Sequence, residues 1–309
     1  MTGVSDTFAR HPSLPDPTAP LTASGNLRRR TIVSRAIEVT ATASAVVAVA
    51  MLIDIAWTVI HKGAPVLSFG FLTQNSNGLA GGGIANALLG TLVIVGFAAL
   101  LALPVGILTG LYLTEFAGPR SRLANALKMV LDLLQGLPTI IVGIVVYGLI
   151  VSAQRKQTGF AGAIALAIIM LPLIARSSQE VLTLVPGSLR EAADALGVDH
   201  WRAVVGVILP AAAGGIATGA ILSIARAAGE TAPLLIVNSL YNPSQTQLEI
   251  FGQGVPSIPM YIYTTYDLPA PSAIARAWGA ALVLLVAILA ANVGARVLLA
   301  RSRAKMGMR

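Results

Sequence analysis

Long apolar stretches separated by short polar segments dominate the chain. A helix that crosses the hydrocarbon core of a bilayer needs about 20 apolar residues. Six stretches approach or exceed that length, and they lie near residues 36–60, 84–113, 127–152, 160–184, 210–237 and 276–300. The pattern therefore predicts an all-α membrane protein with six spanning helices. Residues 1–30 are polar and proline-rich at the start and are expected to form a disordered tail, and residues 31–309 form the transmembrane domain.

Several residues interrupt the apolar pattern of the predicted spans. The fourth stretch is the weakest candidate because Arg176 and Glu180 fall inside it. Prolines also lie within the spans, and bundled membrane helices tolerate them when neighbouring groups satisfy the freed carbonyls. GxxxG spacing, which allows close contact between helices, occurs twice. The prolines are Pro104, Pro138, Pro172 and Pro233, and the glycine pairs are Gly106 with Gly110 and Gly215 with Gly219.

Composition excludes a soluble fold and several kinds of chemistry. Only 11% of the residues are charged and the mean hydropathy is +0.78, whereas soluble domains contain about 25% charged residues. The chain has no cysteine and only three scattered histidines, so no metal site and no cofactor are predicted. An intramembrane enzyme would need a nucleophile or a metal cluster at depth, and neither is indicated. We therefore expect a transport subunit and not an enzyme.

Lysines and arginines predict the orientation of the spans. Sixteen of them fall in the N-terminal tail, the C-terminus and the loops on the same side, and four fall on the opposite side. Cytoplasmic loops of membrane proteins carry the excess of positive charge. Both termini are therefore expected in the cytoplasm, which agrees with an even number of spans. The long loop at 238–275 is rich in Pro and Tyr and fits an aromatic belt or a partner-docking loop equally well.

The loop between the fourth and fifth spans, residues 186–209, contains an ordered motif. It reads Glu191-Ala192-Ala193, then Gly197, then Val207, Leu209 and Pro210. Residues 188–196 are mostly helix formers and Gly197 is a helix terminator, so a short helix is predicted. A helix of this length is not stable alone in water. From the residues alone it could pack on its own bundle or dock in a groove of a partner.

This motif resembles the EAA loop of ABC importer permeases, with Val207 in place of the usual Ile. Four further stretches resemble the PstA-type permeases of bacterial phosphate importers over about residues 31–300. They are Arg226–Leu235, Gly82–Thr91, Met170-Leu171-Pro172 with Arg176, and Ser188–Ala192. The resemblance implies a six-helix type I ABC importer permease that moves inorganic phosphate into the cell.

The same resemblance implies partners and a coupling role. Glu191, Ala192, Ala193, Gly197, Leu209 and Pro210 would form the coupling helix and its connection, which dock on the ATPase. The ATPase must be a separate, PstB-like chain, because none of the four lysines here lies in a Gly-Lys-Ser/Thr context. A second, PstC-like permease and an extracytoplasmic, PstS-like phosphate-binding protein would complete the importer. Membrane lipid is expected as a neighbour, and nucleic acid is not.

Two pairs of charged residues inside the spans are candidate substrate contacts. Arg226 with Glu230 and Arg176 with Glu180 are each four residues apart, so each pair is predicted to share a helix face. Such groups are costly in a membrane and line a cavity or pair with one another. Each pair fits a structural salt bridge or an anion path. Arginine suits phosphate because its planar fork matches the oxygens.

On the transport interpretation, Arg226 is an outer phosphate station and Arg176 lies near the exit. Glu230 and Glu180 would each hold one arginine and limit its grip on the anion. Asp132 is interpreted as a residue at the membrane interface. Two other transport functions remain open: a permease for another oxyanion, such as sulfate, molybdate or phosphonate, and an ATP-independent channel or ion-coupled transporter.

Overall fold

The computed structural model describes residues 27–78, 81–118, 120–239, 242, 245–246 and 249–305. The regular elements in these residues are helices, joined by turns and irregular segments, and an isolated bridge links Ser76 and Gly82. The predicted tail lies almost entirely outside the described residues. The chain divides into two units, residues 1–56 and 57–309. The described part of the first unit is the N-terminal length of helix α1 (Leu27–Gly63), whose side chains are exposed from residue 29 to residue 55.

Twelve further helices are described in the second unit. They are α2 (Phe69–Thr73), α3 (Ala85–Leu111), α4 (Arg122–Gly136), α5 (Thr139–Val146), α6 (Ser152–Gln154), α7 (Gly159–Thr183), α8 (Gly187–Ala195), α9 (His200–Ala203), α10 (Leu209–Ala228), α11 (Ala232–Val237), α12 (Ile258–Tyr266) and α13 (Pro271–Lys305). Wider π-helical turns follow α3, α5 and α9 at Tyr112–Phe116, Tyr147–Val151 and Val204–Ile208.

Five of the described helical stretches are long and apolar enough to cross a membrane: Arg29–Val66, Ala85–Phe116, Gly159–Thr183, His200–Ala228 and Pro271–Val297. A sixth is counted if the pair Arg122–Gly136 and Thr139–Gln154 forms one span, although the two halves are bent by 105°. The span predicted near 127–152 therefore consists of two helices joined at a sharp bend. Pro138 disfavours a helical conformation at Leu137, which is extended here, and so the first half ends at Gly136.

The stretch that is weakest in the sequence, α7, is the most buried of the five. Both GxxxG pairs bring their helices against it. A β carbon on Gly110 of α3 would lie 2.8 Å from the Ala175 carbonyl oxygen, and one on Gly219 of α10 would lie 2.4 Å from Ser177 Oγ. Only glycine permits such an approach. Close packing of α3 and α10 on α7 explains why α7 is the most buried of these stretches.

The predicted fifth span is also interrupted. Helix α10 ends at Ala228, the chain leaves the helix at Gly229–Thr231, and α11 begins at Ala232 with Pro233 in its first turn. Proline fits this position because the first helical N–H groups have no intrahelical partner. Gly143 of α5 allows α11 to pack closely, since a β carbon there would lie 2.9 Å from Pro233 Cα. The span predicted near 210–237 therefore consists of two helices, α10 and α11.

The segment 249–258 packs into the bundle instead of lying over it. Ile250 and Val255 belong to the same buried cluster as residues of α3 and α7. The Asn238 side chain bonds both backbone groups of Val255. Its Nδ2 donates to the Val255 carbonyl at 2.7 Å, and its Oδ1 accepts from the Val255 N–H at 2.8 Å. The first N–H groups of α7 donate to the carbonyls of Gln253 and Ile250. Within the predicted belt, Tyr263 and Tyr266 are exposed and Tyr261 is buried, and Tyr241 lies outside the described residues.

Candidate transport path and coupling segment

The motif between α7 and α10 folds as a short helix with a glycine end. Gly197 has φ +68°, a left-handed conformation that side chains disfavour. Its N–H donates to the Asp194 carbonyl at 3.0 Å, and the Val198 N–H donates to the Ala193 carbonyl at 3.1 Å. These two bonds form the Schellman arrangement that satisfies the last carbonyls of α8. This geometry explains why a glycine stands four positions after the last alanine of the motif.

The outer surface of this segment is apolar in several places. Glu191 and Ala192 are exposed, and Leu196 and Trp201 are 81% and 57% exposed. A β carbon on Gly197 would meet no atom within 4 Å. Ala193, by contrast, is buried against its own chain. The expectation that Ala193 faces the ATPase is therefore wrong, because a helix nine residues long must turn one side towards the bundle to be held there.

The end of the motif lies at the start of α10. Leu209 is half-buried and packs against the cluster that contains Leu182 and Ile208. Pro210 is exposed and occupies the first turn of α10, where proline needs no hydrogen-bond donor. These two residues therefore lie where the predicted coupling segment, residues 186–209, meets α10, and they are far in sequence from the exposed surface of α8.

An ion pair that the sequence did not reveal joins Arg190 of α8 to the buried Glu115 in the π-helical turn after α3. The Arg190 guanidinium bonds both oxygens of Glu115, with Nη2–Oε1 at 2.7 Å and Nε–Oε2 at 3.2 Å. The Glu115 side chain is 3% exposed. The hydrogen bond to Glu115 raises the pKa of Arg190. Burial of the guanidinium lowers this pKa, and the negative charge of Glu115 raises it further. Glu115 is the single charged residue in Ala85–Phe116, and that isolation is the signal that could have revealed it.

Arg226 and Glu230 line an open cleft of about 400 Å³. Arg226 lies in the last turn of α10 and Glu230 lies beyond the helix end, so they do not share a helix face as the spacing predicted. Nε of Arg226 is 3.8 Å from Oε1 of Glu230, and the side chains are 60% and 17% exposed. The remaining lining residues are Leu222, Ala225, Gly229, Ile288 and Asn292.

The second predicted pair does not form. Arg176 makes its ion pair with Asp132 of α4 and also donates to Gln179 Oε1 at 3.2 Å. Glu180 is exposed and takes part in none of the ion pairs found among the described residues. Asp132, which the sequence placed at the membrane interface, is thus the carboxylate that holds Arg176. Sequence spacing missed this pair because its members are on different helices.

The two arginines lie at different heights along the bundle. Helix α7 ends, and α10 begins, next to the coupling segment. At 1.5 Å per residue, Arg226 lies about 26 Å along α10 from Leu209, whereas Arg176 lies about 10 Å before the end of α7 at Thr183. An anion that passed both residues would therefore meet them in succession.

Comparison with known proteins identifies the family of the chain. Residues 102–304 match the family described as binding-protein-dependent transport system inner membrane component. The phosphate transport system permease protein PstA 1 of Mycobacterium tuberculosis strain CDC 1551 / Oshkosh is 39% identical over 258 residues, which cover 82% of this chain and 84% of that protein. PstA of Yersinia pestis is 36% identical over 254 residues, covering 82% and 85%.

Solved structures share the fold at low sequence identity. A chain of a bacterial alginate ABC transporter, solved in complex with an alginate-bound periplasmic protein, aligns with TM-score 0.60 and 17% identity over 89% of this chain and 98% of that chain. A chain of the MetNI methionine ABC transporter aligns with TM-score 0.54 and 18% identity over 71% and 94%. The predicted all-α, type I importer fold is confirmed. This multi-pass membrane chain belongs to the binding-protein-dependent transport inner membrane component family, among the PstA phosphate transport permeases.

Proposed function

We propose that this chain is the permease subunit of an ABC importer that brings inorganic phosphate into the cell, driven by ATP hydrolysis on a separate subunit. The single observation that carries the proposal is the extent of the match to proteins named as PstA phosphate transport permeases, which spans more than four-fifths of the chain. The match includes the segment around Arg226 and Glu230, which now lines an open cleft.

The cleft has the chemistry that a phosphate oxyanion requires. Arg226 uses Nε towards Glu230, and no hydrogen bond found within the described residues engages its two terminal nitrogens. Those nitrogens can bind two phosphate oxygens as a fork. Glu230 lies too far away to neutralise the guanidinium by a tight hydrogen bond. Glu230 can therefore lower the affinity of Arg226 for the anion without blocking the site. Asn292 adds a neutral amide to the lining of the cleft.

Arg176 is the candidate second station, nearer the coupling segment. Its guanidinium is already bonded to Asp132 and to the Gln179 amide. Phosphate that reached Arg176 would compete with the Asp132 carboxylate for Nη2 and with the Gln179 amide oxygen for Nη1. Asp132 thus takes the role of promoting release that the sequence assigned to Glu180.

Partners follow from the architecture of the importer. The exposed surface of Glu191, Ala192, Leu196 and Trp201 docks on a PstB-like ATPase, and the apolar members give that interface its anchors. A PstC-like permease and a PstS-like phosphate-binding protein complete the complex. Both termini lie in the cytoplasm. Reporters fused after Arg309 or ahead of Arg28 should read cytoplasmic, and one at Gln245 should read extracytoplasmic; a cytoplasmic signal at Gln245 would contradict this orientation.

Uptake of radiolabelled phosphate, measured together with the amount of complex in the membrane, tests the transport function. Arg226→Gln should lower uptake by about 100-fold, the effect of losing a charged hydrogen-bond donor, while the amount of complex stays normal. The matched control is Arg155→Gln, an exposed arginine in a turn away from the cleft, which should leave uptake unchanged. Excess sulfate, molybdate or phosphonate should not compete.

A structural role for the Arg226–Glu230 pair gives a different result. In that case Arg226→Gln and Glu230→Gln would both reduce the amount of folded protein, and exchange of the two residues would restore it. Full uptake by the exchanged protein would rule out a transport role for Arg226. Competition by another oxyanion would instead assign the importer to that substrate.

A further inference from the structure

Arg190 stands at a junction of three helices. Besides Glu115 at the end of α3, it bonds two backbone carbonyls at the end of α7, those of Leu182 at 3.0 Å and Val185 at 2.8 Å. The Val185 carbonyl lies just beyond α7, and the Leu182 carbonyl also accepts the Val185 N–H at 3.3 Å. One guanidinium therefore donates to both of these carbonyls and to a buried carboxylate. Four hydrogen bonds from one side chain of α8 therefore reach the ends of both α3 and α7.

A second tie joins the coupling segment to the same point. His200 Nε2 donates to the Glu115 backbone carbonyl at 3.0 Å, and its ring packs edge-on against Phe116 at 5.3 Å. Both short helices of the coupling segment thus hold Glu115: Arg190 of α8 bonds its side chain, and His200 of α9 bonds its backbone carbonyl. Both ties fall in the π-helical turn Tyr112–Phe116, a kind of turn that often occurs at functional sites.

Little else could transmit a force through α8. It has nine residues and only Ala193 is buried, so its helical conformation and its position depend on these bonds. Arg190 immediately precedes the exposed Glu191. One turn of helix therefore presents Glu191 outwards, to the side where the ATPase docks, and Arg190 inwards to the ends of the two helices that pack along each other.

We propose that Arg190 and Glu115 form a clamp that transmits the movement of the coupling helix to α3 and α7 as one rigid unit. Arg190 is thus a positioning residue: it contacts neither phosphate nor nucleotide, and it links ATPase closure to opening of the path. This inference rests on the proposed function. It predicts that loss of the clamp separates ATP hydrolysis from transport while the subunits still assemble.

The first experiment measures rigidity without phosphate. The chain has no cysteine, so Ser188→Cys on α8 and Gly118→Cys beyond α3 give a unique spin-label pair; a β carbon on Gly118 would meet no atom within 4 Å. In the assembled complex, the distance distribution should be narrow and the same with and without ATP. With Arg190→Gln added, it should broaden or shift with nucleotide. A distribution that is unchanged by Arg190→Gln would overturn the clamp.

The second experiment measures coupling in proteoliposomes that contain the full complex and the phosphate-loaded binding protein. Arg190→Gln and Glu115→Gln should each lower the phosphate imported per ATP hydrolysed by about tenfold, which is the usual scale of coupling between sites. Arg190→Lys keeps the charge but not the fork, and its ratio should fall between those of the wild type and Arg190→Gln. The control Arg122→Gln removes an exposed arginine near the same helix ends and should keep the wild-type ratio.

The outcomes separate this inference from the proposed function. If the wild-type complex imports no phosphate, the proposed function fails, and the spin-label distances still decide the clamp. If the variants only reduce the amount of complex, and the complex that remains imports the wild-type amount of phosphate per ATP, the pair is merely structural and the clamp is overturned. If Arg190→Gln does not assemble, Arg190→Lys decides: a wild-type ratio in that variant contradicts the proposal.

Discussion

The two ends of the α3–α7 pair are held together in different ways. At the coupling end, where both helices finish, the contacts of Arg190 and His200 with Glu115 join them to the coupling segment. At the loop end, where both helices start, the segment 249–258 is held by backbone hydrogen bonds and close packing. A β carbon on Gly90 would lie 1.9 Å from the Pro256 carbonyl oxygen, and the Ile258 N–H donates to Thr91 Oγ1 at 2.8 Å.

This difference suggests which end can move. At the loop end, the buried backbone groups would have no other hydrogen-bond partners if the segment 249–258 moved away from the helices. This end therefore resists separation. At the coupling end, the Arg190 side chain is 28% exposed and lies beside the exposed Glu191, so a partner that binds the segment can displace it together with the ends of α3 and α7. We therefore expect the loop end to be rigid within this chain, while the coupling end responds to a partner.

The largest expected effect tests the rigid end. Gly90→Ala places a β carbon on the Pro256 backbone, which has no flexible side chain to move away, and overpacking of this kind costs about 3 kcal/mol. Gly96→Ala is the matched control, because it lies in the same helix and its β carbon would meet no atom within 4 Å. The thermal midpoint of the purified complex should fall for Gly90→Ala and stay level or rise for Gly96→Ala. Equal midpoints would show that segment 249–258 is not firmly packed.

A smaller loss is expected at Asn238. Asn238→Ala leaves the N–H and the carbonyl of Val255 without partners in a buried position, at a cost of about 2 kcal/mol. Asn125→Ala, on the exposed surface of α4, removes the same amide without burying an unpaired group. Thermal midpoints compare the two variants. A normal midpoint for Asn238→Ala would mean that water reaches Val255 and that this end is more open than its packing indicates.

The sequence predicted the helical fold because long apolar stretches and GxxxG spacing reflect local rules. It misplaced the ends of two spans because a proline has more than one outcome. Pro104 and Pro172 lie inside continuous helices, whereas Pro138 lies at a bend and Pro233 starts a new helix. The bend and the new helix lie next to Gly136 and Gly229. In both interruptions the glycine precedes the proline, whereas Gly106 follows Pro104 and that helix continues.

The site was predictable only where its residues are close in the chain. The coupling segment follows from one motif, and its end at Gly197 follows from the left-handed conformation that glycine permits. The partners of Arg176 and Arg190 come from other helices, at separations of 44 and 75 residues. No local spacing rule reaches that far. Burial of Ala193 was missed for the same reason, since the face that α8 turns to the bundle depends on its tertiary contacts.

A third prediction tests how the coupling end keeps its shape. Gly197→Ala forces a side chain into the left-handed region and costs about 1 kcal/mol. That cost falls on the end of α8, so phosphate uptake should fall while the midpoint of the complex changes little. Gly187→Ala, at the start of the same helix and with no atom within 4 Å of its β carbon, is the control and should transport normally. Normal uptake by Gly197→Ala would mean that the Schellman end is dispensable for coupling.

The smallest effect is expected for the other ion pair of the coupling segment. Arg202 and Asp199 are 65% and 62% exposed, with Nε and Oδ2 3.4 Å apart. Pairs this open contribute less than about 0.5 kcal/mol and are screened by salt. Arg202→Gln should therefore leave the thermal midpoint of the complex unchanged at low and at high salt, whereas Arg190→Gln should lower it at both, because it strands the buried Glu115 carboxylate. Suppose instead that both variants lowered the thermal midpoint equally and that both losses disappeared at high salt. The coupling segment would then be held by many weak charge interactions and not by Arg190. We expect the opposite result: Arg190, which is bonded to the buried Glu115, decides the position of the segment, and the exposed Arg202, twelve residues later, does not.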